Sequence, residues 1–172
     1  LTLSLLHLAE IGTQAEGSRA ENVRIDELLF AIKDELSRIY PEQPLQIDAG
    51  SFPSNPEALE IKGNAKMLQI AFFNIAENGL KYSKSPVSVS MVAKADELVV
   101  KFIDQGIGIP AADLEAVFTP FFRGLGAQER PGYGVGLSLA LKILELHHAQ
   151  IELQSVEQVG TTVKVTFPLK RS

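Results

Sequence analysis

The centre of the chain contains the stretch Asn74-Ile75-Ala76-Glu77-Asn78-Gly79-Leu80-Lys81-Tyr82. Its polar residues Asn74, Asn78 and Lys81 are four and three positions apart, so they share one face of a predicted helix. On its own, such a face is most simply a polar surface turned to water. Apolar residues nevertheless cover much of the remaining circumference and predict a buried helix: Met67, Leu68, Ile70, Ala71, Phe73, Ile75 and Leu80. Burial favours a ligand, because buried amides need hydrogen-bonding partners.

The side chains on this helix face suit a metal and a phosphate. The oxygen of an Asn side chain is a hard, neutral ligand of the kind that Mg²⁺ accepts. One turn further on, Lys81 can neutralise a phosphate, and Tyr82 offers an aromatic wall.

A second motif, Asp104-Gln105-Gly106-Ile107-Gly108-Ile109-Pro110, follows a predicted strand. A carboxylate at the end of a strand can accept a hydrogen bond from the exocyclic amine of adenine. The two glycines let the backbone approach a flat ligand closely, and Ile107 and Ile109 supply apolar surface for a ring. An ordinary turn explains the same residues equally well when the motif is taken alone.

A third motif, Gly132-Tyr133-Gly134-Val135-Gly136-Leu137, precedes a predicted helix. Glycines there expose backbone N–H groups, and the N-terminus of a helix favours anions. No Gly-Lys-Ser/Thr follows and the spacing is not G-x-G-x-x-G, so neither a P-loop nor a Rossmann motif is indicated. The alternative is a flexible linker.

The segment Phe118-Thr119-Pro120-Phe121-Phe122-Arg123 stands just before this glycine-rich stretch. Its aromatic residues, Phe122 among them, can anchor the base of a mobile cover. Arg123 or Arg130 can then reach a terminal phosphate. The alternative is a small apolar cluster with surface arginines.

The pattern of elements predicts an α/β (α+β) two-layer sandwich, in which a mixed, mainly antiparallel sheet has helices packed on one face and a short N-terminal helix precedes it. Asp26 and Asn64 are expected to cap helices. The expected strands are Val23–Ile25, Leu45–Asp48 and Leu59–Lys62 around a Pro-rich turn, the hairpin Val87–Ala93 with Leu98–Ile103, and a final hairpin, Ile151–Ser155 with Thr162–Phe167.

The bulk composition narrows the class of protein. The 172 residues carry a formal net charge of -5, which argues against a nucleic-acid partner that needs a basic surface. The sequence has no cysteine, which excludes disulfides and thiolate metal sites. The first residue is Leu1, and a leucine stripe over Leu1–Ile11 predicts a helix that packs on another helix or a second subunit. The alternative is an N-terminal helix that lies on its own domain. We therefore interpret the chain as a piece of a longer protein.

The motifs together, in this order, resemble the catalytic ATP-binding domain of a sensor histidine kinase, within the Bergerat-fold ATPase and kinase superfamily. The resemblance runs from about Val23 to Leu169 and includes Gly160-Thr161-Thr162 before the last strand. Leu1–Gly17 resembles the end of the dimerisation and phosphoacceptor hairpin of that family. We thus expect a hairpin end over residues 1–17 and a kinase domain over residues 18–172.

The resemblance implies roles for individual residues. Asn78 would hold Mg²⁺, and the catalytic set would be Asn74, Lys81 and Arg123 around the phosphates of ATP. Asp104 would bind the adenine amine. The rest of the nucleotide pocket would be formed by Tyr82, Gly106, Gly108, Ile109, Phe122, Gly132, Gly134, Gly136, Leu137 and Thr161.

One position favours phosphoryl transfer over hydrolysis. The hydrolytic members of the superfamily resemble one another in having Glu one turn before the metal-binding Asn, and this chain has Asn74 there, a poor general base. His7 is followed by Leu8 and Ala9, so it does not resemble the phosphoacceptor motif of the family. The resemblance therefore implies an acceptor His on a hairpin that this fragment lacks. It further implies a response-regulator receiver domain as partner, a homodimeric full-length protein and a cytoplasmic location.

Two other functions remain open from the sequence. A protein serine kinase of the anti-sigma type would share the nucleotide site, although such kinases need no leucine-rich helix over Leu1–Ile11. A non-catalytic regulatory module would bind nucleotide without transfer. The intact Asn78, Asp104 and glycine motifs argue against the second alternative.

Overall fold

The structure, a computed structural model, describes residues 20–169 as a layer of helices packed on one face of a sheet. In chain order the elements are β1 (Glu21–Arg24), α1 (Ile25–Ile39), β2 (Leu45–Ile47), β3 (Glu60–Gly63), α2 (Ala65–Tyr82), β4 (Val87–Ala93), β5 (Glu97–Asp104), α3 (Gly136–Leu146), β6 (Gln150–Val156) and β7 (Gly160–Pro168). The helix expected over Leu1–Ile11, and with it the boundary at residue 17, lies outside the described residues.

The main sheet has five strands in the order β2-β4-β5-β7-β6. β2 runs parallel to β4, and every other neighbouring pair is antiparallel. β1 and β3 form a separate antiparallel pair. The predicted two-layer sandwich with a mixed, mainly antiparallel sheet is therefore confirmed.

Strand alternation explains which face of the sheet the helices cover. On β4, Val87, Val89 and Met91 are buried, whereas the alternate residues Ser88 and Val92 are exposed. Successive side chains of a strand point to opposite faces, so the buried set faces the helices. From α2, the fully buried ring of Phe72 contacts Phe102 of β5 and Phe167 of β7, with centroids 5.7 and 6.0 Å apart.

The start of α2 is fixed by two side chains. The Oδ1 atom of Asn64 accepts a hydrogen bond from the Met67 N–H at 3.0 Å, so the expected cap is present. The Nε2 atom of the buried His147 accepts the Asn64 N–H at 3.0 Å, and its Nδ1 lies 2.7 Å from the Ile143 carbonyl. No helix within residues 20–169 is both long enough and apolar enough to cross a membrane.

One local expectation was wrong. Asp26 does not cap α1, because Arg24 occupies the cap position and Asp26 lies in the first turn, where it pairs with Arg24 at 2.7 Å. The strands expected on either side of the Pro-rich turn are both present, and they belong to different sheets. β2 joins the main sheet beside β4, and β3 pairs with β1 instead.

Candidate functional site

A cleft of about 680 Å³ opens between the second half of α2, the end of β5 and the loop that leads to α3. The predicted site residues that line it are Asn74, Asn78, Lys81, Tyr82, Asp104, Gly108, Ile109, Phe122, Arg123, Gly132, Gly134, Gly136, Leu137 and Thr161. Gly106 alone of the predicted set lies outside the lining. Residues more than 80 positions apart in the sequence thus share one site.

Asp104, the last residue of β5, lies in the wall of the cleft. One of its two carboxylate oxygens is already hydrogen-bonded within the protein. Its Oδ1 accepts hydrogen bonds from the backbone N–H groups of Gly106, at 2.8 Å, and Thr161, at 3.2 Å. No donor among the described residues reaches Oδ2, so this atom can accept a hydrogen bond from a ligand. Burial raises the pKa of the Asp104 carboxyl, and the two backbone hydrogen bonds partly oppose that shift.

The loop after Asp104 packs tightly on its neighbours, and its glycines make this possible. A Cβ atom on Gly106 would lie 2.3 Å from the Tyr82 carbonyl oxygen at the end of α2. Gly108 has a φ of +65°, and a Cβ there would lie 2.1 Å from the Val156 carbonyl oxygen. Gly106 therefore lets the loop pack against the end of α2, although it does not itself line the cleft.

Ser155 forms a hydrogen bond with the same loop. It was not identified as a site residue in the sequence analysis. Its hydroxyl accepts the Ile109 N–H at 2.8 Å and lies 2.8 Å from the Thr161 hydroxyl. Glu157 and Gln158, from the turn between β6 and β7, also line the cleft. No sequence signal distinguishes Ser155 from an ordinary strand serine, because its partners come from two other segments.

The two asparagines of α2 have different surroundings. Asn74 is 9% exposed, and its Nδ2 donates a hydrogen bond to the Ile70 carbonyl at 2.8 Å. Its Oδ1 lies 2.9 Å from the position that a Cβ atom on Gly136 would occupy, so Asn74 packs against the start of α3. By contrast, the amide of Asn78 lines the cleft and has no hydrogen-bond partner among residues 20–169. A free amide oxygen in that place fits a hard cation such as Mg²⁺.

Lys81 lies beneath the loop before α3 and is held by Glu77. The Lys81 Nζ is 3.2 Å from Glu77 Oε2, and Glu77 Oε1 accepts a hydrogen bond of 3.3 Å from the Tyr40 hydroxyl. The same Nζ lies 3.8 Å from the position of a Cβ atom on Gly132. The lysine therefore stands between α2 and the glycine-rich loop.

Residues 119–134, which we call the lid, form a loop that closes on itself. The Phe121 N–H donates to the Gly134 carbonyl at 2.9 Å, which joins the two ends. Both residues have positive φ, 66° for Phe121 and +71° for Gly134. A Cβ on Gly134 would lie 2.4 Å from the Phe122 carbonyl oxygen, so glycine is required there.

Two arginines hold the lid through backbone carbonyls. The Nη2 of Arg123 donates to the carbonyls of Ala127 and Arg130, and the Nη1 of Arg130 donates to the Lys81 carbonyl at 2.7 Å. The first arginine thus folds the lid, and the second ties it to α2. Contact between Arg123 and a phosphate stays a prediction.

The model of the family described as "Histidine kinase-, DNA gyrase B-, and HSP90-like ATPase" matches residues 63–171. The chain therefore belongs to this family, which confirms at the family level the resemblance noted in the sequence. The predicted roles of single residues in the cleft stay predictions.

Individual relatives agree with this assignment. The chain is similar to the signal transduction histidine-protein kinase ArlS of Staphylococcus aureus (strain USA300), with 29% identity over 97% of this chain and 37% of ArlS. It thus spans little more than a third of the length of that curated relative. Among solved structures it is similar to the mycobacterial sensor histidine kinase MprB, with a TM-score of 0.74, 21% identity and coverage of 88% of this chain and 100% of that one.

A third similar structure is full-length ShkA in complex with AMPPNP. The TM-score is 0.76 and the identity 19%, over 98% of this chain and 35% of ShkA. At such identities the likeness concerns the fold, and it agrees with the Bergerat-type sandwich expected from the motifs.

Proposed function

We propose that this chain is the ATP-binding catalytic domain of a sensor histidine kinase. It would bind ATP with Mg²⁺ and donate the γ-phosphoryl group to a histidine on a helical hairpin outside this sequence. In that step a bond forms between phosphorus and an imidazole nitrogen, the bond from phosphorus to the ADP oxygen breaks, and ADP leaves. The relative ArlS is named a histidine-protein kinase, and its alignment reaches into residues 1–17, where we expect the end of such a hairpin.

Asn74 is the observation that supports transfer most strongly. It stands one turn before Asn78, its amide is buried, and its Nδ2 is bonded to the Ile70 carbonyl. An amide cannot take a proton from water, so the cleft has no general base at that position. The nearby carboxylate of Glu77 is engaged by Tyr40 and Lys81. The domain would therefore position ATP and neutralise charge while the acceptor imidazole acts as the nucleophile.

The cleft offers groups for each part of the nucleotide. Asp104 Oδ2 would accept a hydrogen bond from the adenine amine, and Lys81 would neutralise a phosphate. Mg²⁺ would bind the Asn78 amide oxygen. The described residues hold no cluster of three or more His, Asp or Glu side chains that could bind a metal. The ion would therefore complete its shell with phosphate and water oxygens, as Mg²⁺ commonly does.

The wider partners belong to the same proposal. A receiver domain would take the phosphoryl group from the hairpin histidine, and two copies of the full-length protein would associate through their hairpins. The reaction would occur in the cytoplasm, where ATP is abundant.

The first test is binding of a non-hydrolysable ATP analogue by calorimetry, with and without Mg²⁺. Asn78→Ala should abolish the dependence on Mg²⁺, because it removes the free amide oxygen from the cleft. Ser88→Ala, on the exposed face of β4, serves as the control. An Asn78→Ala variant with wild-type affinity and wild-type Mg²⁺ dependence would disprove the metal assignment.

The second test measures transfer to a separately produced hairpin that carries the acceptor histidine. We expect acid-labile phosphorylation of that hairpin and none of a hairpin in which Gln replaces the acceptor. Acid-stable phosphorylation of a protein substrate would instead indicate a serine kinase. Nucleotide binding without any transfer would indicate a regulatory module.

A further inference from the structure

A hydrogen bond and an ion pair link the end of α1 to Lys81, the lysine of α2 that lies next to the lid. Tyr40 follows the last residue of α1, outside the cleft, and its hydroxyl donates to Glu77 Oε1 at 3.3 Å. Glu77 Oε2 is 3.2 Å from the Lys81 Nζ, one turn further along α2. We call these three residues the relay. The relay connects the end of α1 with α2, two helices that β2 and β3 separate in the chain.

The partners of Glu77 leave its carboxylate little freedom. Each of its two oxygens accepts one hydrogen bond, Oε1 from Tyr40 just after α1 and Oε2 from Lys81 on α2. The side chains of Glu77 and Lys81 are only 21% and 23% exposed, so water screens them less than it would a surface pair. Burial, and after it the Glu77 carboxylate, raises the pKa of Tyr40 to about 12, further above physiological pH than an ordinary tyrosine, so its hydroxyl is a donor.

The position of Lys81 depends on this arrangement. A lysine ammonium is a point charge on a flexible four-carbon stem, so a fixed partner is needed to hold it in one place. Glu77 provides that partner and leaves further N–H bonds of the ammonium to face the lid near Gly132. Without the Tyr40 hydroxyl, the carboxylate would rotate more freely, and its charge would be less compensated beside an incoming phosphate.

We propose that Tyr40 is a positioning residue for the phosphates of the nucleotide. It acts through Glu77, whose carboxylate it orients so that the Lys81 ammonium stays aimed at the phosphate end of the cleft. This inference rests on the proposed function, since it requires that the cleft binds ATP. It adds a residue from outside the cleft to the determinants of phosphate binding.

The test compares ATP with adenosine, which lacks the phosphates that Lys81 would contact. Tyr40→Phe keeps the ring and removes only the hydroxyl. We expect it to weaken ATP binding roughly three- to tenfold, the range for one hydrogen bond of ordinary strength, and to leave adenosine binding unchanged. The control is Ser37→Ala, which removes an exposed hydroxyl near the end of α1 whose hydrogen-bond partner among residues 20–169 is the Asp34 carbonyl.

A second background shows whether the effect passes through Glu77. In Glu77→Ala, the added Tyr40→Phe change should alter ATP affinity by less than about twofold, because the acceptor of the hydroxyl is gone. Equal loss of ATP and adenosine binding in Tyr40→Phe, or the same loss in both backgrounds, would overturn the relay. A wild-type chain that binds neither ligand would instead refute the proposed function, and the relay with it.

Discussion

Asp104 is placed where a charge is costly for folding and useful for binding. Burial raises the pKa of its carboxyl above the value in the unfolded chain. Its contribution to stability is therefore fully present below the unfolded pKa, near 3.8, and is lost as the pH rises through the folded pKa. At neutral pH the ionised carboxylate reduces the stability of the fold. An adenine amine that donates a hydrogen bond to Oδ2 would compensate this loss of stability.

Replacing Asp104 with Asn should separate the two effects. The Asn side chain keeps an oxygen for the Gly106 and Thr161 N–H groups and carries no charge. We expect ATP affinity to fall about tenfold or more, discrimination between ATP and GTP to weaken, and the free energy of unfolding at pH 7 not to decrease. Nucleotide titration and urea unfolding measure these, with exposed Asp96→Asn as the control. Unchanged discrimination between ATP and GTP would count against adenine recognition by Asp104.

His147 gives the fold a dependence on pH of the opposite sign. Burial lowers the pKa of His147, and the nearby His148 lowers it further, against the raising effect of the Ile143 carbonyl. Both ring nitrogens are engaged when the imidazole is neutral, because Nε2 accepts the Asn64 N–H. Protonation removes that acceptor at the start of α2. The stability is therefore complete above the unfolded pKa and is lost as the pH falls through the folded one.

We expect the free energy of unfolding to fall below about pH 6.5 by at most ~1.4 kcal/mol per pH unit from this one group. His147→Gln should flatten the pH dependence, although it is less stable at pH 7. Urea unfolding between pH 5 and 8 measures the difference. His148→Asn, at an exposed position with positive φ, should flatten the pH dependence much less, because His148 is the smallest of the causes that shift the pKa of His147. Parallel curves for wild type and His147→Gln would contradict the assignment.

Among single residues, the sequence predicted those that belong to local motifs. Asn78 and Asp104 could be found because their neighbours in the chain carry the signal. Tyr40 and Ser155 could not, because Glu77 is 37 positions from Tyr40 and Ile109 is 46 positions from Ser155. A hydroxyl whose partner lies so far along the chain looks like any other surface hydroxyl.

Among the elements, the positions of the strands were predictable, but the pairing partners of the short strands were not. The cap at Asn64 and both long hairpins followed from spacing and alternation. β2 and β3 have three and four residues, too few for alternation to define a partner. The Pro-rich segment between them carries the chain from the main sheet to the smaller one, with 3₁₀ turns at Ala49–Ser51 and Pro56–Leu59.

The folded shape of the lid depends on the side chain of Arg123. Arg123→Ala removes the donors to Ala127 and Arg130. We expect faster amide hydrogen exchange across residues 124–130 in the nucleotide-free protein, because local opening becomes easier. Mass spectrometry measures this, with Arg38→Ala on the exposed end of α1 as the matched control. If Arg123 acted only on bound phosphate, exchange without nucleotide would not change.

In the whole molecule, the two layers share one core. Phe72 is fully buried and joins α2 to β5 and β7 through Phe102 and Phe167. The hydrophobic residues of α1, α2 and α3 and of the sheet belong to the same cluster, so the cleft between the layers depends on their mutual packing.

Phe72→Ala should therefore lower the free energy of unfolding by about 3–5 kcal/mol, since a large cavity would remain between the layers. Phe30→Ala is the control. Phe30 is 43% exposed and contacts only Phe52 edge-on among the aromatic rings of residues 20–169, so its loss should cost about 1 kcal/mol. Urea unfolding followed by circular dichroism compares them. Equal losses would mean that the contact of Phe72 with the sheet contributes little.

The tether of the lid also bears on how this sequence can drift over evolutionary time. Arg123 reaches the main-chain carbonyls of Ala127 and Arg130, and every amino acid supplies a carbonyl. Side chains between these positions can therefore be exchanged without loss of the acceptors. The outer surface of the lid is free to diverge between related genes while the pocket beneath it keeps its shape. A selective inhibitor would thus gain most by touching those variable side chains as well as the nucleotide cleft.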